Sequence, residues 1–280
     1  MLPLRSILFT PGDSERKLKK ASKSKADAVV IDLEDSVAPP MLEEARSLTV
    51  SALQSADFGQ TVRLVRTNGH SLEAAQADIG AILPGKPDGF VIPKIESADM
   101  LEQIAVQLPD EILLFALIET PMGFMKLPEI VANSRLAGLI LGGEDLIAYL
   151  GARPSLSKKE LAYARGAIIM AAAAYGLQAI DTVFTKWRDV EGLKAEAQVA
   201  ADMGFTGKLA IHPAQLAPIH EAFSPTVEEV EWAADIVAEG ERLKDQGIGV
   251  FSYGGRMIDE AHIRRAAKIM QLHTRGQQDG

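Results

Sequence analysis

The sequence predicts an α/β fold, a (β/α)8 TIM barrel with a C-terminal helical lid extension. Three observations predict the barrel: eight short apolar runs, helical patterns between most of them, and a polar residue at the C-terminal end of nearly every run. Continuous apolar runs are typical of parallel strands that are buried on both faces, and eight strand–helix units are what this barrel requires. A doubly wound sheet uses the same alternation and is the alternative.

The eight predicted strands are rich in Val, Ile, Leu and Phe. They cover residues 6–11, 28–35, 61–68, 88–95, 113–120, 137–145, 179–184 and 208–213. Helices are predicted over residues 14–24, 41–54, 71–83, 97–108, 126–133, 158–176 and 190–204. Asp13 or Ser14 can cap the first helix, and Gly176 and Gly204 stand where helix-ending glycines are expected.

The pattern changes after Pro218. Residues 226–245 predict a helix rich in Glu and Ala, residues 247–255 a glycine-rich loop with room for a short hairpin, and residues 257–273 another helix. A segment of about 60 residues is small for an independent core. We therefore predict a catalytic barrel over residues 1–218 and a lid or oligomerisation segment over residues 219–280.

Composition excludes several classes of protein. The net charge of −9 argues against nucleic-acid binding and against docking on anionic membranes. The absence of cysteine excludes disulfides, thiolate metal sites, iron–sulfur clusters and a Cys nucleophile. The longest apolar run, residues 166–177, is shorter than the roughly 20 residues of a membrane-spanning helix. We expect a soluble, cytoplasmic protein.

Acidic residues collect where the predicted strands end, which is where such barrels build their active sites. These acids are Asp32, Glu34, Asp35, Glu96, Glu119, Glu144, Asp145 and Asp181. Repulsion among them calls for a cation, and Mg²⁺ takes one or two carboxylates together with water and substrate oxygens. We predict Glu119 and Asp145 as direct Mg²⁺ ligands. The acids expected to hold metal-bound waters are Glu34, Asp35 and Glu144. Alternatively, single acids cap helices or pair with Lys and Arg.

Arg66 lies near the C-terminal end of the third predicted strand. A guanidinium group there could bind a substrate carboxylate through two hydrogen bonds and stay charged at any pH. The alternative is a structural ion pair with Asp32 or Glu34.

Other polar residues near the strand ends have two interpretations each. The basic run over residues 16–25 could attract the phosphates of a nucleotide-like group, although such runs are commonly solvated faces. His212 closes the eighth strand as either a hydrogen-bonded structural group or a base. Lys94 could form a Schiff base, but the neighbouring acids favour a metal site.

Eleven short motifs then occur in order along the chain. They are RSILF from Arg5, DLEDSV from Asp32, AR from Ala45, RTN from Arg66, IPK from Ile92, IET from Ile118, GGEDL from Gly142, AIDT from Ala179, GFTGK from Gly204, IHPAQ from Ile211 and GRMID from Gly255. Together they resemble the citrate lyase β-subunit-like family, which includes malyl-CoA and citramalyl-CoA lyases. The resemblance covers essentially the whole chain.

This resemblance implies a barrel with a lid, Mg²⁺ dependence and a homo-oligomer, either a trimer or a hexamer. The implied reaction is reversible cleavage of a 3-hydroxyacyl-CoA thioester, such as citryl-, citramalyl- or malyl-CoA, into an acyl-CoA and a 2-keto acid. By resemblance, Glu119 and Asp145 bind the metal, and Arg66 holds a substrate carboxylate or carbonyl. Asp259 would be an acid–base residue delivered by the lid, commonly from a neighbouring subunit. The positions that contact CoA in the family correspond to Phe9, Arg16, Lys19 and Pro213.

Two other functions remain open. A metal-dependent aldolase that acts on free pyruvate-derived hydroxy acids would share the metal acids but would need neither the basic helix nor Asp259. A non-catalytic β-subunit-like component would only bind an acyl-CoA or an acyl carrier. Two departures from the family pattern leave the acyl group open: no lysine stands near Leu42, and Leu141 replaces a common aromatic residue.

Overall fold

The computed structural model describes residues 3–155, 158–244, 247 and 249–277. Eight parallel strands form a closed barrel, in which each strand pairs with the next and the last pairs with the first. The strands are β1 (Ser6–Pro11), β2 (Ala28–Asp32), β3 (Val62–Arg66), β4 (Gly89–Ile92), β5 (Leu113–Ile118), β6 (Leu136–Leu141), β7 (Gln178–Asp181) and β8 (Gly207–Ala210). The predicted barrel is confirmed, and the closed order excludes a doubly wound open sheet.

Helices connect the strands. They are α1 (Glu15–Ser22), α2 (Leu42–Ser55), α3 (Leu72–Ile82), α4 (Ala98–Ala105), α5 (Pro121–Met125), α6 (Leu127–Ile130), α7 (Gly143–Leu150), α8 (Ala162–Tyr175), α9 (Val190–Met203) and α10 (Leu216–Phe223). Ser71 and Ser97 cap α3 and α4 by accepting hydrogen bonds from backbone N–H groups of the first turn. As predicted, α8 and α9 end at Gly176 and Gly204, both in the left-handed conformation.

Alternate residues of the strands point into the barrel and form its core. The buried core residues are Leu4, Ile7, Ala28, Val30, Leu64, Val91, Phe115, Leu117, Ile140, Ile180 and Leu209. Because side chains alternate between the two faces of a strand, every second residue beyond the apolar part of the strand also faces inward. Glu119 therefore follows Leu117 on the inner face, and Arg66 follows Leu64. This alternation places charged side chains at the C-terminal mouth, directly above the apolar core.

Two boundaries in the barrel differ from the prediction. The apolar run over residues 137–145 is not one strand, because β6 ends at Leu141 and α7 begins at Gly143. Glu144 and Asp145 consequently lie in the first turn of a helix. The helix predicted over residues 126–133 is the shorter α6, and the unpredicted helix α5 precedes it; each has a proline in its first turn.

The residues after His220, together with Pro3, form a second compact unit, separate from the unit Leu4–His220. It contains α11 (Val227–Lys244), α12 (Glu260–Gln277) and an antiparallel hairpin of β9 (Phe251–Tyr253) and β10 (Arg256–Ile258). Its buried core consists of Ala233, Ile236, Ile258 and Ala266. The last predicted helix therefore starts three residues too early, since Met257 and Ile258 belong to the hairpin. In the part of the chain that the structure describes, no helix is long and apolar enough to cross a bilayer.

Candidate active site

A cavity of about 610 Å³ opens at the C-terminal mouth of the barrel. Its lining combines apolar side chains from the strands with charged side chains from the loops. The charged lining residues are Arg16, Lys17, Lys20, Asp32, Asp35, Arg66, Glu119, Glu144 and Asp145. Loops at this end of a barrel carry the catalytic groups of enzymes with this fold. The cavity is therefore the candidate active site.

Glu119 lies at the end of β5, and only 2% of its surface is exposed. Its Oε1 accepts a hydrogen bond of 3.0 Å from the backbone N–H of Lys94. Burial raises the pKa of Glu119 to about 8, and the charges of Glu34 and Asp145 add to this effect. Among the described residues, no cation forms an ion pair with Glu119. The carboxylate is thus held in place without an ion-pair partner, and the nearby charges of Arg66 and Lys94 offset the rise of its pKa only in part.

Lys94 ties two of the acids together. It adopts a left-handed conformation, with φ at 52°, which is uncommon for a residue with a side chain. While its backbone holds Glu119, its Nζ lies 2.8 Å from Glu34 Oε1. Although burial acts to lower the pKa of Lys94, the hydrogen bond and charge of Glu34 raise it. A protonated, paired amine is a poor nucleophile, so the structure disfavours the Schiff-base alternative.

Asp145 lines the same cavity as Glu119 from the first turn of α7. The backbone just before α7 can lie close to the Glu119 side chain because residue 142 is glycine. A Cβ atom at that position would lie 2.5 Å from Glu119 Oε2. The described residues contain no group of three or more His, Cys, Asp or Glu arranged to hold a metal. Two carboxylates nevertheless suit Mg²⁺, which usually keeps several waters or substrate oxygens. The role of both residues as ligands stays a prediction.

Arg66 is buried in a network of acids. Its Nε and one terminal nitrogen donate hydrogen bonds of 2.6 and 2.8 Å to the two Asp32 carboxylate oxygens. The other terminal nitrogen lies 3.1 Å from Glu34 and 3.2 Å from Asp35, and the guanidinium stands 5.1 Å from the ring centre of Phe9. Although burial opposes its charge, Asp32 raises the pKa of Arg66. The ion-pair alternative is therefore realised, and substrate binding by Arg66 stays a prediction.

The three acids predicted to hold waters differ in their surroundings. Glu34 is buried, and its Oε2 accepts no well-directed hydrogen bond from any described residue, although Arg66 is near. Burial raises the pKa of Glu34, and Arg66 and Lys94 offset this only in part. By contrast, Asp35 is mostly exposed, and the partly exposed Glu144 pairs with Lys158 at 3.1 Å. Glu34 thus has a buried acceptor atom that receives no well-directed hydrogen bond from the described residues.

The predicted CoA contacts lie around the same cavity, with one difference. Phe9, Arg16 and Pro213 line it, whereas Lys19 does not, and Lys17 and Lys20 do. Helical geometry explains the difference, because positions 16, 17 and 20 share one side of α1 while position 19 points about 110° away from the middle of that side. Spacing along the helix could have identified Lys17 and Lys20 from the sequence.

His212 lines the cavity and also makes structural contacts, so its role as a base stays a prediction. Its Nδ1 accepts a hydrogen bond of 3.1 Å from the backbone N–H of Ala214, and its ring stacks on Trp187 with 4.2 Å between ring centres. The sequence reasoning did not identify Trp187 or Thr182. Thr182 lines the cavity next to Gly143 and is buried.

Asp259 belongs to the second unit and stands immediately before α12. Its Oδ1 accepts hydrogen bonds from the backbone N–H groups of Ala261 and His262, and it lies 2.7 Å from His262 Nδ1. The hydrogen bond with His262 lowers the pKa of Asp259. Its acid–base role stays a prediction, and His262 is a neighbour that the sequence reasoning did not identify.

Comparison with known proteins agrees with this geometry. Residues 5–213 match the HpcH/HpaI aldolase/citrate lyase family. The chain is 40% identical over 268 residues to a (3S)-malyl-CoA thioesterase of Cereibacter sphaeroides, covering 96% of this chain and 94% of that protein. It is 34% identical over 293 residues to the human mitochondrial citramalyl-CoA lyase, covering 98% of this chain and 86% of that protein.

Solved structures agree as well. A crystal structure of CitE from Mycobacterium tuberculosis in complex with magnesium, acetoacetate and coenzyme A is similar, with a TM-score of 0.79 and 30% identity over 97% of this chain and 98% of that one. The resemblance inferred from the eleven motifs is confirmed. This chain belongs to the HpcH/HpaI aldolase/citrate lyase family.

Proposed function

We propose that this chain is a Mg²⁺-dependent lyase that cleaves or forms the carbon–carbon bond of a 3-hydroxyacyl-CoA thioester. The proposal rests on one observation: the carboxylates of Glu119 and Asp145 line the same cavity, and neither has an ion-pair partner among the described residues. The basic residues of α1 line that cavity as well. The citramalyl-CoA lyase relative and the CitE complex with magnesium and coenzyme A support this chemistry.

The charges at the mouth fit a divalent cation. Apart from the exposed acids Asp35 and Glu144 and the exposed cations Arg16, Lys17 and Lys20, four acids face two buried or half-buried cations, which leaves a net charge of −2 when Glu119 is ionised. The acids are Asp32, Glu34, Glu119 and Asp145, and the cations are Arg66 and Lys94. Asp32 and Glu34 are paired, so the deficit falls on Glu119 and Asp145. These two residues would hold Mg²⁺, and Glu34 Oε2 would accept a hydrogen bond from a metal-bound water.

When bound, the ion would polarise the substrate hydroxyl or the product keto oxygen as a Lewis acid. The chain supplies the remaining interactions. Arg16, Lys17 and Lys20 would attract the CoA phosphates, because their side chains are cationic and border the cavity. The Arg66 guanidinium would stabilise the negative charge that develops on the substrate.

In cleavage, the substrate hydroxyl passes its proton to a general base at the mouth, and the electron pair of the broken carbon–carbon bond becomes the enolate of the acyl thioester. The α-carbon of that enolate must then gain one proton, which balances the proton that the hydroxyl lost. We assign that proton transfer to the Asp259 carboxyl group. Gly254 and Gly255 precede Asp259 in left-handed conformations, with φ at 57° and 76°. As part of the proposal, residues 219–280 form a lid that excludes water and carries Asp259 to the barrel of a neighbouring subunit in a homo-oligomer.

A panel of CoA thioesters and free hydroxy acids, with Mg²⁺ or with EDTA, tests the proposal. We expect a thioester to yield a 2-keto acid and acetyl- or propionyl-CoA only in the presence of Mg²⁺. Glu119→Ala and Asp145→Ala should abolish turnover without unfolding the protein, while Glu129→Ala, which changes an exposed acid on α6, should retain it. Full turnover by Asp145→Ala would contradict the metal site.

Three other outcomes identify other functions. Comparable cleavage of free hydroxy acids would indicate the aldolase, and binding of thioesters without turnover would indicate the non-catalytic component. Release of free CoA and an intact hydroxy acid would indicate hydrolysis. Hydrolysis is the second candidate function, because the relative with 40% identity is a malyl-CoA thioesterase.

A further inference from the structure

We propose that Thr182 is a positioning residue for Asp145 and acts through the first turn of α7. The inference rests on the proposed function, because it takes Asp145 as a Mg²⁺ ligand. Thr182 directly follows β7 and is buried at the cavity wall. Its role would be to fix where the Asp145 carboxylate stands before the ion arrives.

The contact between Thr182 and α7 is direct. The backbone N–H of Gly143 donates a hydrogen bond of 2.9 Å to Thr182 Oγ1. Gly143 is the first residue of α7, so this N–H has no acceptor within the helix. Asp145 is two residues further along, in the same turn. The Thr182 hydroxyl therefore determines where the turn that carries Asp145 begins.

The start of α7 has little freedom to move away from this contact. A Cβ atom on Gly143 would lie 2.7 Å from Thr182 Oγ1 and 2.8 Å from Leu161 Cδ1. On the opposite side, the Gly142 N–H donates a hydrogen bond of 3.0 Å to the Ile118 carbonyl oxygen. The turn is thus held by β5 on one side and by Thr182 on the other.

Thr182 is itself held by a buried charge. Lys208 Nζ donates a hydrogen bond of 2.7 Å to the Thr182 carbonyl oxygen, and the Lys208 side chain is fully buried. The same ammonium group pairs with Asp181 at 2.6 Å and with Glu196 at 2.8 Å. Groups that orient metal ligands in this way raise affinity because they fix the ligand geometry in advance.

Titration of the full-length, substrate-free protein with Mg²⁺ alone, followed by calorimetry, tests this inference. Thr182→Val removes the hydroxyl and should weaken Mg²⁺ binding about 10- to 100-fold, the usual effect of losing a group that orients a ligand. Thr182→Ser keeps the hydroxyl and should bind like the wild type. Gly143→Ala should weaken Mg²⁺ binding similarly, because the added methyl group would push the Thr182 hydroxyl away from the start of α7.

Two control variants separate the possible causes. Thr49→Val makes the same change at a buried threonine whose hydroxyl has no hydrogen-bond partner among the described residues, so its Mg²⁺ affinity should not change. Asp145→Ala defines the Mg²⁺ affinity that remains without the Asp145 carboxylate.

If Thr182→Val binds Mg²⁺ with wild-type affinity, the positioning role is overturned; Gly143→Ala serves the same test if Thr182→Val does not fold. The metal site would still stand in that case, provided that Asp145→Ala binds Mg²⁺ weakly. Wild-type affinity in Asp145→Ala would overturn both the metal site and this inference.

Discussion

The barrel contains two groups of buried charges that are compensated differently. Outside the wall formed by β7 and β8, Lys208 and Arg165 face Asp181 and Glu196, so two positive charges meet two negative ones. Although burial opposes its charge, Asp181 has a lowered pKa because Lys208 and Arg165 stabilise its anion. At the mouth, burial and neighbouring acids instead raise the pKa of Glu119 to about 8.

The difference between the two groups indicates what each is for. The outer cluster is neutral by itself and needs nothing from outside the chain. The mouth has a deficit of positive charge that the surrounding residues do not remove, which costs folding energy in the absence of a ligand. We infer that buried charge balanced within a chain serves the fold, whereas an unbalanced group at a cavity serves binding.

The largest expected effect comes from breaking the balanced cluster. Lys208→Met would leave Asp181 and Glu196 with Arg165 alone and should lower the free energy of unfolding by about 3–5 kcal/mol, measured by urea denaturation. Lys126→Met is the matched control, because Lys126 pairs with Glu129 at 3.0 Å with both side chains about half exposed. Its effect should stay below about 1 kcal/mol. Equal losses in the two variants would contradict the structural role of the outer cluster.

An intermediate effect of opposite sign is expected at the mouth. Glu119→Gln keeps an oxygen acceptor for the Lys94 N–H but removes a buried negative charge. In EDTA at pH 9, where a carboxyl group of pKa about 8 is ionised, it should therefore raise the free energy of unfolding by about 1–2 kcal/mol. Added Mg²⁺ should stabilise the wild type and have no effect on the variant. A loss of stability in EDTA would show that the mouth is as balanced as the outer cluster.

The smallest effect concerns acid pH. An acid whose pKa is lowered in the folded state stabilises the fold at pH values above its pKa in the unfolded chain, which is about 3.9 for Asp. This stabilisation is lost as the pH falls towards and through the pKa of the folded state. The wild type should be more stable than Asp181→Asn at pH 5, and this advantage should shrink by about 1 kcal/mol at pH 3. Denaturation curves at both pH values measure it, with exposed Asp110→Asn as the control. A constant advantage would contradict the assigned ion pairs.

The eight apolar runs and the polar residues at their ends were sufficient to predict the barrel and to place Glu119 at its mouth. The alternation in β5 fixes which face each residue occupies, so the acid after Ile118 had to enter the mouth. The start of α7 was not predictable in this way, because it depends on space next to Glu119 and on the Thr182 hydroxyl. Both are tertiary contacts that leave no periodic signal. The same holds for the left-handed Lys94, whose backbone N–H holds Glu119.

The close contact at Gly142 restricts how the enzyme could be redesigned for another acyl group. Even a methyl group there would fall 2.3 Å from the Glu119 Cβ atom and push the carboxylate aside. A mutant library should therefore keep glycine at position 142 and vary Val183 in the loop after β7 and Leu209 in β8, apolar residues that line the cavity. Substrate preference could then evolve while the proposed ion-binding pair stays in place.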